Sequence, residues 1–137
     1  MVAGECKKTP VDVLFLVDIT TDNNKVFEAQ QKKIVETIRH LSGSGFVSDA
    51  RFGIIVFNQR PLLLVPLTSP RAKVLERMIT EVAKIKARRN LETSPARAFD
   101  LAATHLNAHK RDDAKRLVML VHNGHSTDLI AETMESR

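Results

Sequence analysis

A doubly wound, mostly parallel α/β sheet with helices on both faces and one antiparallel edge strand is the fold class that this sequence predicts. Three observations predict it. Val11–Asp18, Arg51–Phe57 and Arg116–Val121 are short, nearly continuous apolar runs, the signature of strands covered on both faces. Stretches with helical spacing separate them, as crossovers between parallel strands require. Only Asn58-Gln59-Arg60-Pro61 joins the second run to Leu62–Leu67, so those two strands must pair antiparallel, and Pro61 and Pro66 suit an edge. With 137 residues, 43% of them hydrophobic, the chain can bury one core, and no repeat or linker divides it. Residues 1–10 read as a lead-in and residues 11–137 as one domain.

Each element has a local cause. Asn23 or Asn24 can cap a helix that runs to about Ser42, with Phe27, Ile34, Ile38 and Leu41 on one stripe. Gly43-Ser44-Gly45 stops it. Ser69-Pro70 reads as an N-cap followed by proline at the first helical position, and Val74, Leu75, Met78, Ile79, Val82 and Ile85 keep helical spacing. Ser94-Pro95 repeats that signal, with Ala98, Phe99, Ala102, Ala103 and Leu106 inward. After the Arg116–Val121 strand, Asn123-Gly124 turns the chain, and Ser126 is expected to cap a final helix towards Met134.

Charge is unevenly spread. Of 21 basic and 16 acidic residues, residues 71–116 hold 12 basic and 6 acidic, so the whole excess lies there. Lys84, Lys86, Arg88 and Arg89 form one cluster; Lys110, Arg111, Lys115 and Arg116 form a second. Such surfaces attract polyanions, sulfated glycans among them. Nucleic acid is the poorer match, since the chain has no Trp or Tyr to stack bases. No apolar run approaches the roughly 18–20 residues that span a bilayer, so no membrane insertion is expected. Met1–Lys8 has no apolar signal core, which fits either a cytoplasmic chain or a mature secreted segment. The lone Cys6 can form no internal disulfide.

In open parallel sheets, ligands bind beyond the carboxyl ends of the strands. Three loops qualify: Asp18-Ile19-Thr20-Thr21-Asp22, Glu92-Thr93-Ser94 and His122-Asn123-Gly124. They carry carboxylates, hydroxyls and an amide, the hard oxygen donors that Mg²⁺ accepts. On these residues the chain resembles the von Willebrand factor type A domain family over residues 11–137. It is most similar to extracellular-matrix members such as those of collagen VI and matrilins. The resemblance implies a metal-ion-dependent adhesion site built on an Asp-x-Ser-x-Ser loop, a distal Thr and an Asp-Gly. Asp18 matches the first Asp, Thr20 the first Ser and Thr93 the distal Thr. Asp22 replaces the second Ser and Asn123 the final Asp, so one acid is gained and one lost.

The resemblance implies a secreted protein-interaction or adhesion module of the matrix. Its metal ligands would be Asp18, Thr20, Asp22, Thr93 and Asn123, and its ion Mg²⁺ or Mn²⁺. The partner would be a protein such as collagen or another matrix component. Two readings of the site stay open, an ion-binding one and a scaffold that has lost the metal, in which Asp and Thr cap the turn. A glycan-binding matrix module and a cytoplasmic assembly scaffold are the alternatives. The family runs on with a further strand and helix, so the chain is expected to lack them and to leave its last strand as an open edge. Cys6 would then pair, as in some members, with a cysteine further along.

No enzyme is expected. There is no phosphate-binding glycine loop and no nucleophile elbow, and Cys6 and Ser94 lack a base partner in the sequence. His105 and His109 have the i, i+4 spacing of a zinc pair, but nothing completes the set, and their place near a helix C-terminus is accounted for by the macrodipole.

Overall fold

The computed structural model describes residues 9–21, 23–45, 47–87, 95–111 and 113–122, with the backbone of 125–130. Thr9–Asp18 forms β1, and its apolar run is buried from Val11 to Val17. Asn24–Ser42 forms α1, capped by Asn23, whose side chain accepts the N–H groups of Lys25 and Val26. Val47–Phe57 forms β2, Pro61–Val65 forms β3, Leu75–Lys84 forms α2, Pro95–Ala108 forms α3 and Lys115–His122 forms β4. A last strand, β5, covers His125–Ile130.

Among the described residues these strands make one sheet in the order β3-β2-β1-β4-β5. The three central strands are parallel: Phe15 of β1 stands beside Ile54 of β2 and Met119 of β4. β3 adds to β2 antiparallel, as expected of a strand reached by so short a turn. The fold class is therefore α/β with helices on both faces. Alternate β1 residues Val13, Phe15 and Val17 pack beneath α1 and α2, with Ile34, Ile38, Met78 and Val82. Leu14 and Leu16 face the other way, onto Ala98, Ala102 and Leu106 of α3. The crossover from β1 to β2 and the return from the β2–β3 hairpin to β4 run in opposite directions across the sheet, so crossovers of one hand put α1 and α3 on opposite faces.

Three local expectations are corrected. The segment from Ser126 is not a helix; residues 125–130 turn back along β4, with His122 opposite His125 and Leu117 opposite Ile130. A second antiparallel strand thus joins the expected β3, and the edge of β4 that was expected to lie open is paired within the chain. The physical reason is the two-residue Asn-Gly spacing between strand-forming segments, a stronger hairpin signal than Ser126 is a cap. Pro70 starts only a short 3-10 turn, Pro70–Lys73, capped by Ser69. Val74 is extended at φ −108° and ψ 109°, so α2 starts afresh at Leu75 rather than continuing from Pro70.

Gly53 sits at a close approach between β2, β1 and β3. A Cβ there would stand 2.5 Å from Leu14 Cδ2 and 2.9 Å from the Val65 carbonyl oxygen. The glycine lets β3 step across its register shift opposite Ile54 and Ile55.

Candidate functional site

β1 delivers Asp18 to the carboxyl end of the sheet, where the chain leaves for α1. Pairing persists one residue further, since the Ile19 N–H donates to the Phe57 carbonyl at 3.0 Å. The Asp18 carboxylate oxygen Oδ1 then accepts the Thr20 N–H at 2.9 Å and the Thr20 hydroxyl at 2.6 Å. A hydroxyl that gives its single proton to a carboxylate still has its lone pairs, so Thr20 keeps acceptor capacity towards a cation. Asp18 and Thr20 are both partly buried, and among the described residues no cation pairs with Asp18.

α1 holds this loop from behind. Gln30 is fully buried, and its Nε2 donates to the Asp18 backbone carbonyl at 2.9 Å. Its neighbour Gln31 donates to the carbonyls of Val82 and Ile85 at the end of α2, at 3.0 and 3.1 Å. The glutamines join two helices and the Asp18 loop into one unit, a role that the sequence reading missed. The available signal was Gln30 itself, a polar residue on the stripe that Phe27, Ile34 and Ile38 otherwise fill.

Of the expected ligands, the structure places Asp18 and Thr20 together. Asp22, Thr93 and Asn123 lie outside the described residues, as do Cys6, Ser94, Gly124, Arg88 and Arg89. Among the described residues no group of three or more His, Cys, Asp or Glu is gathered for a metal. Asp18 and Thr20 bring together a carboxylate and a hydroxyl, hard oxygen donors of the kind a divalent ion such as Mg²⁺ accepts.

The amino end of the same strand has a different chemistry. Asp12 is fully buried and accepts both Nε and Nη2 of Arg51 at 2.8 Å, and Nη2 of Arg111 at 2.7 Å. Burial pushes its pKa up, but the hydrogen bonds and charges of the two arginines outweigh that and hold it below the usual value. Asp49 takes the other guanidinium nitrogen of Arg111 at 2.6 Å. Arg111 is thus committed to the interior and Arg116 is buried, which leaves only Lys110 and Lys115 of the second cationic cluster facing solvent.

His105 is buried, and its Nε2 accepts the Leu67 N–H at 3.0 Å. Its ring stands 4.7 Å from that of His109. Burial, then the neighbouring His109 and Arg51, push its pKa down. A neutral imidazole with Nε2 engaged is a packing and hydrogen-bonding group. The macrodipole account, which needs a cation, fits at most the exposed His109.

A doubly wound sheet with a carboxylate–hydroxyl loop at the end of its central strand defines a class of α/β domain that binds ligands at its upper face. The chain belongs to the von Willebrand factor type A domain family, whose model matches residues 12–136. No curated protein sequence matches it. Among solved structures it is similar to proximal thread matrix protein 1 of the mussel byssus, with a TM-score of 0.67 and 17% identity over 83% of this chain. The form of that protein with a zinc-occupied MIDAS motif gives 0.68 and 17%. BatB from Bacteroides thetaiotaomicron gives 0.62 and 14% over 80% of this chain. These likenesses concern the fold. The chain spans 31% of the mussel protein and 52% of BatB. Among the described residues no helix is long and apolar enough to cross a membrane.

Proposed function

We propose that this domain is a protein-interaction module of an extracellular-matrix or adhesion protein, which binds its partner through a divalent ion at the Asp18 loop. The observation that carries the reading is the Asp18 carboxylate. It sits at the end of the central strand, is oriented by Thr20, and meets no protein cation among the described residues. Asp18, Thr20, Asp22, Thr93 and Asn123 would hold the ion, which would be Mg²⁺ or Mn²⁺. The zinc-occupied motif of the mussel matrix protein supports a divalent ion in this fold and also makes Zn²⁺ worth testing. When bound, the ion supplies an electrophilic seat for a partner's carboxylate. The chain's own part is to fix that seat: Thr20 orients Asp18, and Gln30 anchors the backbone beneath it. With Asp22 in place of a hydroxyl and Asn123 in place of a carboxylate, the formal charge offered to an ion would be that of the family's pattern. The module binds and does not catalyse.

Sulfated glycan is the lesser reading, because Arg111 and Arg116 are withdrawn from the surface. Surface plasmon resonance against a panel of matrix proteins, collagens included, tests the proposal. Binding that needs divalent ion, vanishes in EDTA and is absent for Asp18→Ala is expected. Binding that ignores EDTA and Asp18→Ala would contradict it.

A further inference from the structure

Beside the Asp18 loop lies a groove of about 540 Å³ between β3 and the end of α2. That is within the roughly 300–1,000 Å³ of ligand-sized sites. Its floor is apolar, made by Ile19, Val56, Leu64 and Ile85. Leu62, also lining it, is 59% exposed, and only it and Val74 are large, exposed hydrophobic residues among those described. An apolar side chain held out at a groove rim costs solvation in the free protein and is recovered by a partner that covers it. β3 is an outer strand, so the groove opens at the sheet edge.

The rim is cationic. Arg60, Lys84 and Lys86 surround the opening, and the single acid lining it, Glu81, is already bonded to Arg71 at 2.8 Å and lies 3.7 Å from Lys84. Arg60 and Lys86 have no acidic partner among the described residues. The groove therefore asks for negative charge around an apolar centre. A sulfated glycan supplies the charge but has nothing with which to cover Leu62 and the partly exposed Leu64. An acidic peptide segment carrying leucine-like side chains supplies both.

We propose that this groove docks an acidic peptide segment of a partner protein, with apolar side chains on the Ile19–Ile85 floor and carboxylates on Arg60, Lys84 and Lys86. The contact needs no metal. Ile19 follows Asp18 directly, so one partner can engage both places, with the groove choosing which carboxylate-bearing chain is admitted.

Fluorescence anisotropy of the full chain with the labelled peptide Asp-Asp-Leu-Asp-Leu-Asp-Asp tests this. Saturable binding that is unchanged in EDTA is expected, weakened about tenfold or more by Leu62→Glu and by Lys86→Glu. The exposed Lys110→Glu control should bind as the wild type, and the serine analogue Asp-Asp-Ser-Asp-Ser-Asp-Asp should bind much more weakly. Leu62 and Lys86 face solvent, so both variants should melt as the wild type does, which circular dichroism checks. The proposal is overturned by any of four outcomes: no saturable binding, binding lost in EDTA, equal binding of the serine analogue or of heparin with Leu62→Glu silent, or a wild-type dimer that Leu62→Glu dissociates.

Discussion

Asp12 and Asp18 stand at opposite ends of β1, at alternating positions that share a face of the sheet, yet their surroundings are opposed. Asp12 is fully buried and neutralised by two arginines brought from β2 and from the loop before β4. Asp18 is partly buried and, among the described residues, its carboxylate meets the N–H and hydroxyl of a residue two places on. The first carboxylate spends its charge inside the molecule, where removing one partner strands the others. On the proposed function, the second is the one left for a cation that arrives from outside. What separates the two acids among the described residues is the protein counter-charge that Asp12 has and Asp18 lacks.

Substitution at the two ends should give the largest contrast. Asp12→Ala leaves Arg51 without its acidic partner and Arg111 with Asp49 alone, in a partly buried place, which costs about 3–5 kcal/mol. Asp18→Ala removes two local hydrogen bonds and should cost about 1–2 kcal/mol in metal-free buffer. Urea unfolding of both variants checks this, and similar losses would erase the distinction. Acid should work at the same amino end. Because Asp12 has a folded pKa below 3.8, the stability it contributes is present above that value and is lost as pH falls through the lowered one. His105 has a folded pKa below 6.5, so the unfolded chain takes up its proton first and stability begins to fall below about that pH. Urea midpoints against pH should therefore decline in two stages, and His105→Gln should remove the earlier one.

Gln30→Ala sharpens the comparison from the other end. It leaves the Asp18 carbonyl without its buried donor, which costs about 1–3 kcal/mol, and it should also weaken metal binding by loosening the loop. Unchanged ion affinity in a destabilised variant would confine Gln30 to packing. The smallest effect is expected of Asn23→Ala, about 1 kcal/mol from the lost α1 cap. Thermal unfolding measures it.

Much of this arrangement was legible in the sequence because its causes are local. The buried strands showed as apolar runs, α1 as a capped stripe, and β3 as an edge strand carrying Pro61. Asp18 and Thr20 were legible because a polar pair at the end of a buried strand falls where parallel sheets bind ligands. What escaped depended on partners far away in the chain. Asp12 finds Arg51 at a separation of 39 residues and Arg111 at 99, so an acid within an apolar run gave no hint of its partners. The same distance hid the commitment of Arg111 to the interior. His105 was misread for a related reason, since its partner is a backbone N–H on another element. The β5 hairpin was missed where two local signals competed, and the Asn-Gly spacing outweighed the serine cap.

On the proposed function, the carboxyl end of β1 takes the cation while the amino end is closed to it. Mn²⁺ titration followed by NMR tests this directly, because the paramagnetic ion broadens only nearby amide signals. Selective, saturable broadening of Ile19, Thr20 and Thr21 is predicted, with Val11–Val13 and Arg111 unaffected and the effect gone in Asp18→Ala. Broadening centred on Asp12, or none that saturates at Asp18, would contradict the account.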